Sequence, residues 1–176
     1  LAFAEPHSDP SALLIALDTV IRVMGSDGER SIQADQFWLG PFETVLEDGE
    51  VLTFVEIPLL EKLSGAAYRK FSVSELPTAG VGVWVRLSPD ANRVLEARLV
   101  VSSVNPVPTR LRKAEVALQG KAVHAAAGIG PEEWAEVAAP DLDPIDDIYG
   151  GADYKTHLVG VLIREAFKVA AHRAKG

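Results

Sequence analysis

The chain has 176 residues, 48% of them hydrophobic, with a net charge of −8 and no cysteine. That size suits one ordinary domain or two small ones, and the negative charge argues against binding to nucleic acid or to an anionic membrane. Disulfides, thiolate metal sites, iron–sulfur ligation and a cysteine nucleophile are excluded, and a reducing cytoplasm is the expected location. No apolar run approaches the ~18 residues of a membrane span.

The sequence of the first eleven residues leads us to expect that part of the functional site lies outside this chain. The chain starts at Leu1, and a proline-bracketed polar loop of His7, Ser8 and Asp9 leads directly into an apolar run. This pattern lacks the charged region and the cleavage site of a signal peptide. We therefore expect the interior of a larger domain.

In the first 60 residues, apolar segments separated by turn-forming residues predict a small α/β unit. Its expected elements are a helix over 11–17, strands over 20–24 and 30–33 around a turn at 25–28, a helical turn over 34–38, and a strand over 51–58. The last strand ends at Pro58, since proline cannot donate to a ladder. Residues 59–65 are the expected boundary to a second unit.

The second unit predicts strands followed by helices, which is typical of an α+β fold. The expected elements are strands over 67–73, 79–87 and 94–104, then helices over 109–118, 121–127, from Pro131 onward and from a cap at Asp153, with Thr109 capping the first of them. In the second strand, valines at 81, 83 and 85 alternate with Gly80, Gly82 and Trp84. This alternation predicts an antiparallel sheet with one buried face, and glycines that allow close packing.

Two polar loops carry side chains of the types that take part in catalysis or ligand binding. His7, Ser8 and Asp9 are the residue types of a hydrolase triad, but adjacent loop residues cannot align in that order. Two interpretations remain open: the loop binds ligand hydroxyls, or Ser8, Asp9 or Ser11 simply caps the following helix. A second loop contains Asp141, Asp143, Asp146 and Asp147. It lacks the glycine and glutamate of a calcium loop, so a solvated turn that caps the last helix is the better interpretation.

The stretch Tyr68, Arg69 and Lys70 opens the first strand of the second unit. Two cations beside an aromatic ring suit an anionic or flavin ligand. They equally suit a solvated strand edge, where lysine discourages aggregation. The residues alone leave both interpretations open.

Taken together and in order, several motifs resemble the FAD-binding medium subunit of the carbon monoxide dehydrogenase and xanthine dehydrogenase family, the flavin component of molybdenum hydroxylases. The motifs are Glu5–Pro10, Gly40–Thr44, Gly49–Leu52 with Val55–Pro58, Ala67–Phe71 and the tail Asp146–Leu158. The resemblance implies the C-terminal part of an FAD-binding domain over 1–60 and the flavoprotein C-terminal domain over 66–176. The implied α+β fold is the end of an α/β subdomain, then a three-stranded antiparallel sheet packed on a helical bundle.

The resemblance also implies a cofactor and its contacts. FAD would be held by Ser8 and Asp9 at the ribityl or ribose hydroxyls. Leu52 would pack on the isoalloxazine ring, and Arg69 or Lys70 would place a cation near its pyrimidine edge. No catalytic or metal-ligating residue is implied in this chain. The loop over 72–79 departs from the family's usual Gly-Asp-aromatic pattern, so contacts to the flavin face are less defined there.

The implied partners are a molybdenum-cofactor large subunit and a 2Fe–2S small subunit in a hetero-oligomer that passes electrons through FAD to an external acceptor. The family's glycine-rich loop and Thr-Ile-Gly-Gly turn for the FAD diphosphate are not among these residues. This piece alone is therefore expected to hold FAD weakly and to be inactive. The alternatives are a docking domain that binds no flavin and an unrelated α+β domain.

Overall fold

A computed structural model describes all residues, 1–176, and its amino-terminal unit has one helix and two small antiparallel sheets. The elements are α1 (Asp9–Ala16), β1 (Val20–Gly25), β2 (Gly28–Gln33), a short 3-10 helix (Ala34–Gln36), β3 (Trp38–Gly40), β4 (Glu43–Thr44) and β5 (Val51–Glu56). One sheet has the order β2–β1–β5, and β3 pairs with β4. The predicted helix, hairpin, helical turn and final strand are confirmed, and the β3–β4 pair is an addition.

The carboxyl-terminal unit is a four-stranded antiparallel sheet followed by helices. Its elements are β6 (Ser64–Phe71), β7 (Ala79–Leu87), β8 (Val94–Ser102), β9 (Thr109–Arg110), α2 (Arg112–Leu118), α3 (Val123–Gly128), α4 (Pro131–Ala138), a 3-10 turn (Ala139–Asp141) and α5 (Ala152–Arg173). The strand order is β6–β7–β8–β9. The α+β fold and the three predicted strands are confirmed, and β9 adds a short fourth strand.

Two predicted helix caps are wrong. Thr109 lies in β9, where its hydroxyl donates to the Val107 carbonyl at 2.8 Å, and α2 begins three residues later. Asp153 lies inside the first turn of α5, whose N-cap is Gly151. The Thr109 hydroxyl bonds the Val107 carbonyl and not an N–H group of α2. At the start of α5, the side chain that accepts a backbone N–H, that of Ala152, is Asp146. None of the helices combines the length and the apolar character that a membrane span requires.

The central sheet is buried on both faces, although the alternation in β7 predicted only one. Helix α5 covers the valine face, where Val81, Val83 and Val85 are fully buried. Helix α1 covers the opposite face, because Gly82 has no side chain there: an added Cβ would lie 2.8 Å from the carbonyl oxygen of Ala12. The predicted close packing is thus confirmed at Gly82, where a helix of the first unit lies on the sheet of the second, and at Gly80, where the Tyr68 and Ser102 side chains approach the backbone.

Candidate functional site

Asp9 lies where the first turn of α1 meets strand β6. Its Oδ1 accepts a hydrogen bond from the Tyr68 hydroxyl at 2.9 Å, and its Oδ2 accepts one from Lys70 Nζ at 2.5 Å. Tyr68 and Lys70 are two residues apart on a strand, so they project from the same face. The Asp9 side chain remains 41% exposed. A carboxylate has about four lone-pair sites, so it can accept further hydrogen bonds from a ligand.

The Tyr68 hydroxyl is accommodated by a glycine on the neighbouring strand. A Cβ at Gly80 would lie 2.2 Å from this oxygen and 2.7 Å from Ser102 Oγ. Burial raises the pKa of the Tyr68 phenol well above its ordinary value, and the Asp9 carboxylate adds to this effect despite the opposing influence of Ser102. The phenol therefore keeps its proton and acts as a donor to Asp9.

Two buried hydroxyls near this cluster lack hydrogen-bond partners. Thr78 and Ser102 are both fully buried, and neither side-chain oxygen makes a well-formed hydrogen bond within the chain. Ser102 lies beside the Tyr68 hydroxyl, and Thr78 immediately precedes β7 and follows Pro77, whose carbonyl contacts His7.

His7 ties the loop before α1 to the carboxyl-terminal unit. Its Nδ1 donates to the Pro77 carbonyl at 2.8 Å, and its Nε2 lies 3.7 Å from Asp147 Oδ2. The imidazole also packs edge-on against Tyr149, with ring centroids 4.7 Å apart. Asp147 in turn accepts a hydrogen bond from Lys155 Nζ at 2.6 Å, and the Lys155 side chain is only 1% exposed.

Asp147 is held in its ionised form by this arrangement. Burial pushes the pKa of Asp147 upward, but the Lys155 ammonium, the Tyr149 backbone N–H and the His7 ring together hold it below its ordinary value. The prediction of a loop that caps the last helix is confirmed at Asp146, whose Oδ1 accepts the Ala152 N–H at 2.5 Å. The loop is nevertheless more than a solvated turn, because Asp147 pairs with a buried cation.

The predicted cofactor residues divide into two groups. Ser8, Asp9 and Lys70 come together, and Ser8 occupies the N-cap position of α1. The Ser8 hydroxyl makes no cap hydrogen bond, so its predicted capping alternative is wrong. Arg69 projects from the opposite face of β6 to Lys70. Its guanidinium donates to the Tyr68 carbonyl at 3.3 Å.

Leu52 lies apart from the Asp9 cluster. It is in β5, opposite Val23 of β1, and packs partly buried against the amino-terminal core. No hydrogen bond or shared cavity joins it to Asp9. The contacts within this chain therefore do not bring Leu52 and Asp9 into one site.

Sequence reasoning missed Tyr68 as the second partner of Asp9 and Lys155 as the partner of Asp147. The first could have been found, because the period of two puts Tyr68 on the face of Lys70. The second carried no local signal, since it depends on how the loop before α5 folds back. His7 was considered only as a member of a polar loop.

An apolar cleft of about 530 Å³ opens beside the cluster and shares Tyr68 with it. Seven of its nine lining residues are hydrophobic, among them Leu13 of α1, Leu17 directly after this helix, and Ala66 of β6. Its volume lies within the range of small-molecule sites. Tyr68 therefore lies between the polar Asp9–Lys70 cluster and this apolar cleft.

Comparison with known proteins identifies the family. Residues 66–170, more than half of the chain, match the family model for the CO dehydrogenase flavoprotein C-terminal domain. The chain belongs to this family. Residues 1–60 match the FAD binding domain in molybdopterin dehydrogenase, so FAD is the cofactor of the family to which the chain belongs.

Individual relatives agree with this assignment. The carbon monoxide dehydrogenase medium chain of Hydrogenophaga pseudoflava is 32% identical over 97% of this chain and 58% of its own length. The nicotine 6-hydroxylase medium subunit of Paenarthrobacter nicotinovorans is 30% identical over 98% and 59%. The resemblance proposed from the motifs is confirmed.

A solved structure shows the same fold. The carbon monoxide dehydrogenase from Hydrogenophaga pseudoflava, in a form lacking the Mo-pyranopterin moiety of its cofactor, superposes with a TM-score of 0.86 at 33% identity. The match covers 98% of this chain and 59% of that one. The chain therefore spans about three fifths of the length of the relatives it matches.

Proposed function

We propose that the chain is part of the flavoprotein subunit of a molybdenum hydroxylase and that it holds the sugar-alcohol stretch of FAD. In this proposal residues 1–60 are the C-terminal part of the FAD-binding domain and residues 66–176 are the flavoprotein C-terminal domain. A molybdenum-cofactor large subunit and a 2Fe–2S small subunit are the proposed partners. Electrons would pass from the iron–sulfur clusters through FAD to an external acceptor.

The observation that carries the proposal is the Asp9 carboxylate, which is oriented by two donors and still open to solvent. Such a carboxylate suits the hydroxyl groups of a ribityl chain, because each hydroxyl can donate to it. The residues present therefore fit the polar portion of FAD.

The chain's own residues would mainly bind and orient. Bound FAD supplies the electron transfer itself. Lys70 and Tyr68 each bond one oxygen of Asp9 and so fix the rotation of its carboxylate. The Lys70 ammonium would also be the cation nearest the ligand, and positive charge beside a flavin raises its reduction potential.

Three further residues belong to the proposal. Ser8, beside Asp9, has a free hydroxyl that can bond a ribityl or ribose oxygen. Leu52 has a partly exposed side chain that can pack on the isoalloxazine ring. Arg69 is exposed and extends the positive charge of β6. Since the chain spans three fifths of its relatives, we expect weak FAD binding by these residues alone.

The test is an FAD titration of the complete flavoprotein in which Asp9→Asn and Asp9→Ala are compared with the unaltered protein. Loss of hydrogen bonds to a charged group costs about 1.5–3 kcal/mol, so we expect roughly 10- to 100-fold weaker binding. The matched control is Asp48→Ala, which removes an exposed carboxylate from another loop. Equal FAD affinity in all variants would contradict the role of Asp9. A colourless protein that still binds a partner subunit would instead favour the docking domain.

A further inference from the structure

His7 lies two residues before Asp9, and its side-chain hydrogen bond, ion pair and aromatic contact are all with the carboxyl-terminal unit. The Pro77 carbonyl, the Asp147 carboxylate and the Tyr149 ring surround the imidazole, which is 14% exposed. Pro77 is in the loop between β6 and β7, and Asp147 and Tyr149 are in the loop before α5. The ring thus joins three separate loops at the edge of the proposed FAD site.

Both imidazole nitrogens face oxygens that only accept hydrogen bonds. A neutral ring has a single N–H, and the 2.8 Å contact to the Pro77 carbonyl uses it at Nδ1. The Nε2 lone pair would then face the Asp147 carboxylate. A protonated ring still donates to the Pro77 carbonyl and also attracts the Asp147 carboxylate across 3.7 Å, so the contact between the loops is stronger when His7 carries a charge.

The charged groups around His7 come from three elements. Asp147 faces its Nε2 from the loop before α5, and Lys155 of α5 bonds the same carboxylate oxygen, Oδ2. On the amino-terminal loop, Glu5 accepts the backbone N–H of His7 at 3.4 Å. Lys155 keeps Asp147 ionised and is nearly fully buried, so the anion opposite His7 does not change over neutral pH.

The backbone between His7 and Asp9 is short and locally braced. The Ser8 N–H donates to the Glu5 carbonyl at 3.0 Å, and the Ser11 hydroxyl donates to the Ser8 carbonyl at 3.0 Å. A displacement of the imidazole would therefore move the Ser8–Asp9 step as one piece. That movement would pull the Asp9 carboxylate away from its donors on β6.

We propose that His7 is a positioning residue of the FAD site, which fixes the Ser8–Asp9 step against the carboxyl-terminal unit and makes the hold on FAD tighter at acidic than at alkaline pH. The proposal rests on the proposed function, since it concerns the same cofactor. It assigns His7 no contact with FAD. Its effect passes through the position of Asp9.

The test measures FAD affinity of the complete flavoprotein between about pH 5.5 and 8.5, the range over which histidine side chains ordinarily change charge. For the unaltered protein we expect affinity to fall as pH rises. His7→Ala should bind FAD about five- to tenfold more weakly at the acidic end, the equivalent of one lost hydrogen bond. His7→Gln keeps a donor for Pro77 and should recover part of the affinity, but without the pH dependence.

The matched control is His124→Gln, which alters an exposed histidine on α3 that forms no hydrogen bond or ion pair. It should leave both the affinity and its pH profile unchanged. A pH profile that persists in His7→Gln, or that disappears in His124→Gln, would overturn the proposal.

Hydrogen exchange separates this proposal from the proposed function. In the FAD-free protein, His7→Ala should speed amide exchange at Ser8, whose N–H bonds the Glu5 carbonyl, while Asp48→Ala should not. If Asp9→Asn weakens FAD binding but His7→Ala changes neither exchange nor affinity, only the role of His7 is overturned. If the unaltered flavoprotein binds no FAD, the proposed function fails and this inference fails with it.

Discussion

The two faces of the β6–β9 sheet are covered by helices in contrasting ways. On the α5 face, large apolar side chains fill the space, including Val81, Leu99 and Phe167, all fully buried. On the α1 face, Gly82 lets the helix backbone approach β7, and the cluster of buried apolar residues is smaller. Arg98 secures that helix, because it lies 4.2 Å from the Trp84 ring centroid and donates to the Ala16 carbonyl at 3.2 Å.

The comparison of the two faces indicates that the α5 face mainly stabilises the fold, whereas the α1 face positions the candidate site. The α5 face belongs to a core cluster of 28 buried residues, whereas the cluster on the α1 side has 13. Only the α1 face places a helix terminus, with Asp9, against polar residues of β6. Changes on the α5 face should therefore unfold the protein, and changes on the α1 face should displace the site while the core stays folded.

The largest expected effect is on the α5 face. Phe167→Ala removes a fully buried ring, and such a change costs about 3–5 kcal/mol of unfolding free energy. Urea denaturation monitored by circular dichroism measures it. A loss below about 1 kcal/mol, the size of an ordinary mutation, would show that this face does not carry the stability. At low temperature the folded fraction should still bind FAD.

A matched pair of glycine substitutions compares the two faces directly. A Cβ at Gly65 would lie 2.2 Å from the Ala170 carbonyl oxygen of α5, and a Cβ at Gly82 would lie 2.8 Å from that of Ala12 in α1. Overpacking of this kind costs about 1–3 kcal/mol, so thermal unfolding should reveal a loss in both variants. Only Gly82→Ala should also weaken FAD binding, because it lifts α1 away from Tyr68. Equal FAD affinity in the two variants would contradict the claim that only the α1 face positions the FAD site.

A pH effect is expected in the amino-terminal sheet, outside both faces. The bidentate hydrogen bonds from Arg30 hold the pKa of Glu50 at about 2, below its ordinary value of 4.5. Because the folded-state pKa is lowered, this stabilisation is complete above pH 4.5 and is lost as the pH falls toward 2. The urea midpoint should fall over that interval, and Glu50→Gln should flatten the fall. An identical acid profile in the variant would show that the pair does not stabilise the fold.

The smallest expected effect is at an exposed ion pair on α5. Glu165 accepts a hydrogen bond from Lys168 at 3.3 Å, and both side chains are partly exposed to solvent. Glu165→Gln should change the unfolding free energy by less than about 0.5 kcal/mol. Its FAD affinity should match that of the unaltered protein, so this variant sets the baseline for the others. A larger loss of stability or of FAD binding would mean that the outer surface of α5 contributes to the fold or the site.

The sequence predicted the sheet strands because their apolar residues alternate, and alternation is a local property. It could not predict that the glycine face of β7 is buried, since the covering helix lies about 70 residues earlier in the chain. The two wrong caps, Thr109 and Asp153, fail for a related reason. A local capping signal was outweighed there by β9 pairing and by the loop before α5.

The candidate site was predictable in part. The motif resemblance pointed to Asp9 and Lys70, and the structure joins them. The same resemblance pointed to Leu52, which these residues do not bring near Asp9, so its role stays a prediction. The His7–Asp147 contact spans 140 positions and depends on three loops meeting, which no local pattern in the sequence encodes.

The most direct measurement is an experimental structure of the complete flavoprotein with FAD bound. Our account predicts that a ribityl or ribose hydroxyl lies within hydrogen-bond distance of the Asp9 carboxylate, about 2.6–3.2 Å, while Tyr68 and Lys70 keep their bonds to the same group. An FAD molecule held elsewhere, with Asp9 facing only solvent, would contradict it.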